Sequence, residues 1–313
     1  VRESVREAAG RLAAAGCQTP RLDAEVLLAH ALEVRRDVFY REPERPLSAG
    51  ERRVYETLIA RREAREPVAY IVGRRAFRTI EVAVGPGALV PRPETETLVE
   101  TALRELARLD AAIDRDLGLG AGRSGGEPGV RYVEDVAASG SWTPQVLDLC
   151  TGTGCVALAL AAEHPGIRVA AVDIDDRALA FARQNAERLG LAERVEFLAG
   201  DLFDGLPPAA RFELIVANPP YLSEAEIAAV EREIRVYEPR HALVAGPSGL
   251  EVYQRLIPEA RSSLAPHGLL AVEIHERHPE PVRSLFSRAG FTDVTVVDDL
   301  GGAPRVVAGR GPA

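Results

Sequence analysis

Lysine is absent from this chain of 313 residues; all 38 basic side chains are arginine. Its absence excludes a lysine Schiff base and the phosphate-binding lysine of a P-loop, both of which need an ε-ammonium group. Cysteine is scarce: Cys17, Cys150 and Cys155 form no Cys-x-x-Cys pair. A disulfide scaffold is thereby excluded, and a reducing, cytoplasmic setting is expected. No apolar run approaches the ~20 residues that cross a bilayer, and no signal-peptide pattern opens the chain, so no membrane partner is expected. A net positive charge is lacking as well. At −9 the chain is poorly suited to neutralising phosphates, and no direct nucleic-acid contact is expected. The charge is uneven, however. Residues 1–80 carry 16 Arg against 12 Asp and Glu, or +4, and the remainder carries 22 against 35, or −13.

What is present is enough apolar sequence, 46%, for one large or two modest domains. Residues 1–73 read as a helical bundle. Val5, Ala9, Leu12 and Ala13 keep helical spacing up to Gly16. Pro20 opens a second helix with Ala24, Leu27, Leu28 and Leu32 on one face, and Ser48 caps a third over 49–65. The bundle has a core and no evident chemistry, so docking is its expected role. Ile80, Val82 and Val84 alternate as in a half-buried strand, and a linking hairpin is predicted over 76–90, within a linker of 74–90. Thr95 is expected to cap a helix over 96–109. Six glycines between Gly118 and Gly129, with few large apolar residues, mark 110–144 as a flexible insertion into a domain spanning 91–313.

From 145 onward strands and helices alternate, the pattern of a parallel, doubly wound α/β sheet. Strands are predicted at 145–149, 168–172, 194–198, 212–217, 268–274, 292–297 and 305–309, and helices at 155–164, 176–189, 224–233, 250–264 and 279–289. The last two strands have no helix between them and should pair antiparallel. The first strand runs into Cys150-Thr151-Gly152-Thr153-Gly154, where glycines let the backbone approach a ligand. Asp173 closes the second strand, positioned to accept hydrogen bonds from a ribose diol. Asp201 and Leu202 close the third, the place for an adenine contact. Asp148 reads as a buried residue that orients the glycine loop. Gly152-x-Gly154-x-x-Ala157 with Asp173 also suits a nicotinamide dinucleotide, so a dehydrogenase is a rival at this point.

Asn218-Pro219-Pro220-Tyr221 separates the two. It follows the strand-like run 212–217 and ends it, since neither proline has an N–H for a sheet ladder. It offers an amide side chain, rigid backbone carbonyls and an aromatic face, the parts needed to hold a planar –NH2 group and expose its nitrogen lone pair. A dehydrogenase has no use for that set, and no hydride-handling His, Lys or Tyr is evident. His275 and His278 have no third ligand, so no metal is assigned. Two other readings carry over: an adenine-N6 methyltransferase on nucleic acid, which the acidic catalytic half argues against, and a binding module with a vestigial cofactor fold, which the intact loop set argues against.

These residues resemble the bacterial release-factor glutamine methyltransferases. The likeness covers nearly all of the chain apart from 110–144. It includes Pro67-Val-Ala-Tyr-Ile-Val-Gly73, Val90-Pro-Arg-Pro-Glu-Thr-Glu96, the loop 150–154, Asp173, Gly200-Asp201 and Asn218–Tyr221. The Pro-Arg-Pro-Glu-Thr-Glu stretch separates it from the sibling family that methylates a ribosomal protein, which has Pro-Arg-Ser-Pro there. The resemblance implies a Rossmann-like seven-stranded methyltransferase sheet with S-adenosylmethionine as donor, held by Cys150 to Gly154, Asp173, Asp201, Leu202 and Asn218. It implies class I peptide chain release factors as partners, with the glutamine of their Gly-Gly-Gln motif as acceptor and a monomeric enzyme. Asn218, Pro219 and Tyr221 would be catalytic, and Pro220, Leu89, Arg92 and Glu96 would bind substrate. The chain departs from the family at Cys150 and His275, where glycine is usual, and in the length of 110–144.

Overall fold

The computed structural model describes residues 1–116 and 143–312. Most of the expected insertion, 117–142, lies outside the described residues. The chain divides into two compact units. One comprises Val1–Arg75, Val84–Pro86 and Val230–Glu238; the other comprises Ala76–Ala83, Gly87–Ala229 and Pro239–Ala313.

The first unit is built from helices α1 (Arg2–Ala14), α2 (Pro20–Ala31), α3 (Val38–Arg41), α4 (Ala49–Glu63) and α5 (Val68–Val72). Leu12, Ala24, Leu27, Leu28, Tyr55 and Ile59 form its core, and the Tyr55 hydroxyl donates to the Ala24 carbonyl at 3.1 Å. In α1 the buried stripe is Val5, Ala8 and Leu12; Ala13 is exposed and Ala9 only half-buried. Ser48 forms a full capping box with Glu51, satisfying two backbone donors at the start of α4. The unit also takes in a later helix, α9 (Arg232–Tyr237). Glu233 on α9 accepts from Arg62 at 2.9 Å and from Arg65, while Arg62 also donates to Asp23 at 2.8 Å.

The chain passes to the second unit within β1 (Arg74–Phe77), which forms a two-stranded sheet with β2 (Ile80–Ala83). The hairpin expected out to residue 90 therefore stops early. β1 begins only at Arg74, directly after α5 and the left-handed Gly73, so β2 runs out of partner there, the Val84 N–H still reaching the Gly73 carbonyl at 3.2 Å. On the outer edge of β2 the Asn185 side chain accepts from the Ala83 N–H at 2.6 Å and donates to the Ala83 carbonyl at 3.1 Å. It occupies the groups a further strand partner would use.

The main sheet contains β3 (Gln145–Leu149), β4 (Arg168–Asp173), β5 (Val195–Ala199), β6 (Phe212–Ala217), β9 (Leu264–Glu273), β10 (Thr292–Asp298) and β11 (Pro304–Arg310). Its strand order is β10-β11-β9-β6-β3-β4-β5. The pairs from β9 through β5 are parallel, and β11 runs antiparallel to both β9 and β10. Strands such as Leu214-Ile215-Val216-Ala217 are apolar without alternation because both faces are covered. On one face α6 (Glu96–Asp116) and α7 (Cys155–Glu163) bury Leu98, Val99, Leu106 and Leu158; on the other, α10 (Glu251–Ser263) and α11 (Pro279–Arg288) bury Tyr253, Leu256 and Phe286. Helix α8 (Asp176–Leu189) follows β4. Among the described residues no helix is long and apolar enough to cross a membrane.

Two further expectations are corrected. The helix predicted over 224–233 does not form. Instead β7 (Leu222–Ser223) pairs with β8 (Val244–Gly246), a short turn of helix covers Glu226–Ala229, and α9 begins only at Arg232. The Glu226 carboxylate bonds the Ser223 N–H and hydroxyl at 2.9 and 2.8 Å, closing a turn where the helix would have started. Thr95 is not a helix cap. It ends a 3₁₀ turn over Pro93–Thr95, its side chain is buried, and α6 continues to Asp116 rather than 109.

Candidate active site

The loop after β3 turns tightly, with Cys150 at φ 59°, Gly152 at 57° and Gly154 at 78°. Cys150 holds a left-handed backbone that glycine adopts more easily, which accounts for glycine being the usual residue there. Asp148 braces the loop from below. Its Oδ2 accepts from the Thr151 hydroxyl at 2.6 Å and from the Ala157 N–H at 3.1 Å. Full burial outweighs those two bonds and pushes its carboxyl up to about 7.

Asp173, at the end of β4, accepts the Gly152 N–H at 2.7 Å through Oδ2 and the Asp175 N–H at 2.9 Å through Oδ1. Burial raises its pKa, against the pull of those backbone donors. Each oxygen keeps acceptor capacity for a further donor. The space where a Gly152 side chain would begin is open to at least 4 Å, while a side chain at Gly200 would meet the Asp204 carbonyl at 2.0 Å. Asp173, Asp148 and Asp201 all push the half-buried Cys150 thiol up, after desolvation itself. Their shared field favours a cation in this cleft.

The cleft is ≈ 260 Å³. Of the residues expected to hold a cofactor, Cys150, Thr151, Gly152, Thr153, Asp173, Asp201, Leu202 and Asn218 line it, and Gly154 does not. A side chain at Gly154, at the start of α7, would instead meet Ala182, Leu158 and Phe197. Asp201 also carries an ion pair with Arg255 of α10 at 2.8 Å. Of the expected substrate contacts, Leu89, Arg92 and Pro220 line the cleft; Pro219, Tyr221 and Glu96 do not. Glu96 is turned to the hairpin, accepting the Arg78 N–H at 3.1 Å. The Tyr221 ring meets His275 edge-on at a centroid distance of 5.9 Å, and burial raises its hydroxyl pKa.

Two residues at the site were given no role there by the sequence. The Thr95 hydroxyl oxygen accepts from Asn218 Nδ2 at 3.1 Å, so the amide oxygen Oδ1 is the end turned away from Thr95. Glu273, the last residue of β9, is 1% exposed and lies within reach of the Thr95 and Tyr221 hydroxyls. Burial lifts its carboxyl to about 7, opposed by those hydroxyls and by the charge of Arg305. A buried Glu at the carboxyl end of a strand was the one available clue, and Glu273-Ile274 reads as ordinary strand sequence.

The strand order with its reversed final strand, the glycine loop after β3, the acidic end of β4 and Asn-Pro-Pro-Tyr after β6 together define a Rossmann-like methyltransferase. The PrmC N-terminal domain family matches residues 3–73, and the methyltransferase small domain family matches 135–246. The release factor glutamine methyltransferase of Koribacter versatilis is 37% identical over 312 residues, covering 100% of this chain and 99% of its own. Those of Nitratidesulfovibrio vulgaris and Geobacter sulfurreducens are each 38% identical, covering 98% and 96% of this chain and 93% of their own. The chain belongs to the release factor glutamine methyltransferase family. The dehydrogenase alternative is set aside on the same ground.

Proposed function

We propose that the protein transfers a methyl group from S-adenosylmethionine to the side-chain amide nitrogen of a glutamine in a peptide chain release factor. The acceptor is the glutamine of the Gly-Gly-Gln motif of class I release factors, and the product is N5-methylglutamine. The observation that carries this reading is the placement of Asn218, whose Nδ2 bonds the Thr95 hydroxyl oxygen at 3.1 Å, in the lining of a cleft shared with Asp173 and the glycine loop.

The cleft fits the donor. Asp173 has acceptor capacity for a ribose diol, Gly152 leaves room for close approach, and the acidic field suits a sulfonium. When bound, the donor supplies an electrophilic methyl carbon on positively charged sulfur. The chain's own residues must then make a poor nucleophile reactive, because an amide nitrogen shares its lone pair with its carbonyl. Asn218 Oδ1 accepts one proton of the substrate amide and a backbone carbonyl of the Pro-Pro turn accepts the other. Held this way, the nitrogen is drawn towards pyramidal geometry with its lone pair free of the carbonyl. With the donor bound, an N–C bond would form as its S–C bond broke, sulfur would keep the bonding pair, and the methylated nitrogen, then acidic, would release a proton to water. No general base is needed before transfer; positioning and electrostatics supply the rate. Tyr221, behind the loop, helps to hold it and to exclude water.

A single glutamine cannot identify a protein, so a second contact is required. Residues 1–73 are assigned that docking role, on the +4 balance of residues 1–80 and the lack of catalytic groups before Pro91. Incubation with labelled S-adenosylmethionine and either a class I release factor or nucleic acid tests the proposal. Label in the glutamine of the release factor is expected; label in adenine would overturn it.

A further inference from the structure

We propose that Glu273 is a positioning residue that acts through the Thr95 hydroxyl to set which end of the Asn218 amide faces the substrate. This rests on the glutamine-methylation reading above.

The two ends of an asparagine amide have nearly the same shape and opposite chemistry. If the NH2 end faced the cleft, it would meet the NH2 of a substrate glutamine donor to donor, and the site would fail. Something must therefore choose the end. Asn218 Nδ2 bonds Thr95 Oγ1 at 3.1 Å, but a hydroxyl can donate or accept and by itself enforces neither orientation. It becomes a dedicated acceptor only when its one hydrogen is committed elsewhere. Glu273 is the group placed to take that hydrogen. It is 1% exposed, the Thr95 and Tyr221 hydroxyls lie within its reach, and among the described residues its Oε2 has no partner. An ionised carboxylate only accepts. The chain of donors then runs one way, from Asn218 Nδ2 to Thr95 and from the Thr95 hydroxyl to Glu273, and Oδ1 is left for the substrate.

Glu273 is rigidly mounted. Its backbone pairs with Val306 of β11, and the buried Tyr253 hydroxyl donates to its carbonyl oxygen at 2.7 Å. Several groups act on its charge. Arg305 of β11, itself paired with Asp299 at 3.1 Å, favours the ionised form, and Glu94 opposes it. The Tyr221 hydroxyl lies within its reach, and Tyr253 of α10 and the Cys155 thiol of α7 are within its field. Burial is the largest influence and puts its pKa at about 7. Once protonated, Glu273 can donate to Thr95 Oγ1. The Thr95 hydrogen is then free to turn to Asn218, and the amide loses the constraint that keeps Oδ1 towards the cleft.

The test is the pH dependence of kcat for methylation of a Gly-Gly-Gln peptide at saturating S-adenosylmethionine. At saturating donor kcat reports only groups that titrate in the complex, and because Asp148 also lies at about 7 it is the Glu273→Gln profile that isolates Glu273. In the wild type, kcat should rise with pH through about 7. In Glu273→Gln, which does not titrate and can either donate to or accept from Thr95, kcat should fall about 10–100-fold, as for other partners that orient a reacting group. Its rise with pH should disappear, with S-adenosylmethionine affinity by calorimetry unchanged. Thr95→Val should lose kcat to a similar extent, and Thr95→Ser, which keeps the hydroxyl, should restore it; this pair stands even if Glu273→Gln does not fold. An unchanged pH profile in Glu273→Gln, or equal kcat in the Val and Ser variants, would overturn the assignment while leaving the methylation reading intact. A wild-type enzyme unable to methylate glutamine would overturn both.

Discussion

Replacing Glu233 with Ala should destabilise the helical unit by about 3 kcal/mol and release α9 from it. Glu233 sits between two guanidinium groups, Arg62 at 2.9 Å and Arg65, with side-chain exposures of 14% for Glu233 and 6% for Arg62. Removing one partner of a buried pair costs about 3–5 kcal/mol, chiefly because the remaining charge stays buried without compensation. Arg62 keeps Asp23 at 2.8 Å and the Glu66 carbonyl at 3.1 Å, which places the loss at the low end of that range. Burial works against ionisation of Glu233, but hydrogen bonds from Arg65 and Arg62 prevail and hold its pKa below the usual value. A depressed carboxylate stabilises above its unfolded pKa and loses that contribution as pH falls through the folded one. The gap between wild type and Glu233→Ala should therefore close on acidification below the ordinary glutamate range. Urea unfolding at neutral and acidic pH measures the free energy, and the rate of tryptic cleavage after Arg232 and Arg235 reports whether α9 has come free. A neutral-pH change within about 0.5 kcal/mol, the size of an ordinary surface substitution, with no faster cleavage would refute the reasoning.

Three other perturbations follow from the site. Asp173→Ala should weaken S-adenosylmethionine binding by about 1.5–3 kcal/mol, the range for hydrogen bonds to a charged group; calorimetric titration with unaltered affinity would remove Asp173 from the ribose site. Asn218→Ala should bind the cofactor nearly as well but lose about 10²–10³-fold in single-turnover transfer; near-normal transfer would mean that another group holds the amide. Asp148 has a folded pKa raised to about 7, so its contribution to stability is full below the ordinary aspartate range and is lost as pH rises through about 7. At about 1.4 kcal/mol per pKa unit, that loss is on the order of 4 kcal/mol. Asp148→Asn can keep both accepted bonds and should make the decline of unfolding free energy between about pH 4 and 7 shallower; urea curves with the wild-type slope would contradict this.

Much of the second unit was legible before the structure, because its signals are local. Apolar runs such as Phe212 to Ala217 are bounded by prolines, the loop 150–154 is punctuated by glycine, and two strands meet at the end with no helix between them; each needs only its own neighbours to be read. The same locality made Asp148, Asp173 and Asn218-Pro219-Pro220-Tyr221 visible as candidates. Where local pattern was trusted too far, a distant side chain had intervened. Asn185 takes both backbone groups of Ala83, on the outer edge of the hairpin, from 102 residues away. Glu233 was placed in a sheet-domain helix, yet it is bound to Arg62, 171 residues earlier in the chain. Thr95 looked like a helix cap, and its hydroxyl instead receives the Asn218 amide across 123 residues. Local spacing and residue type thus determined the order of elements, the family resemblance and the residues that can do the chemistry. Which buried charge finds which partner, and which end of Asn218 is held back from the cleft, was decided only by tertiary packing, because the cost of burying an unpaired polar group is set by what the fold brings beside it and leaves no periodic trace in the sequence.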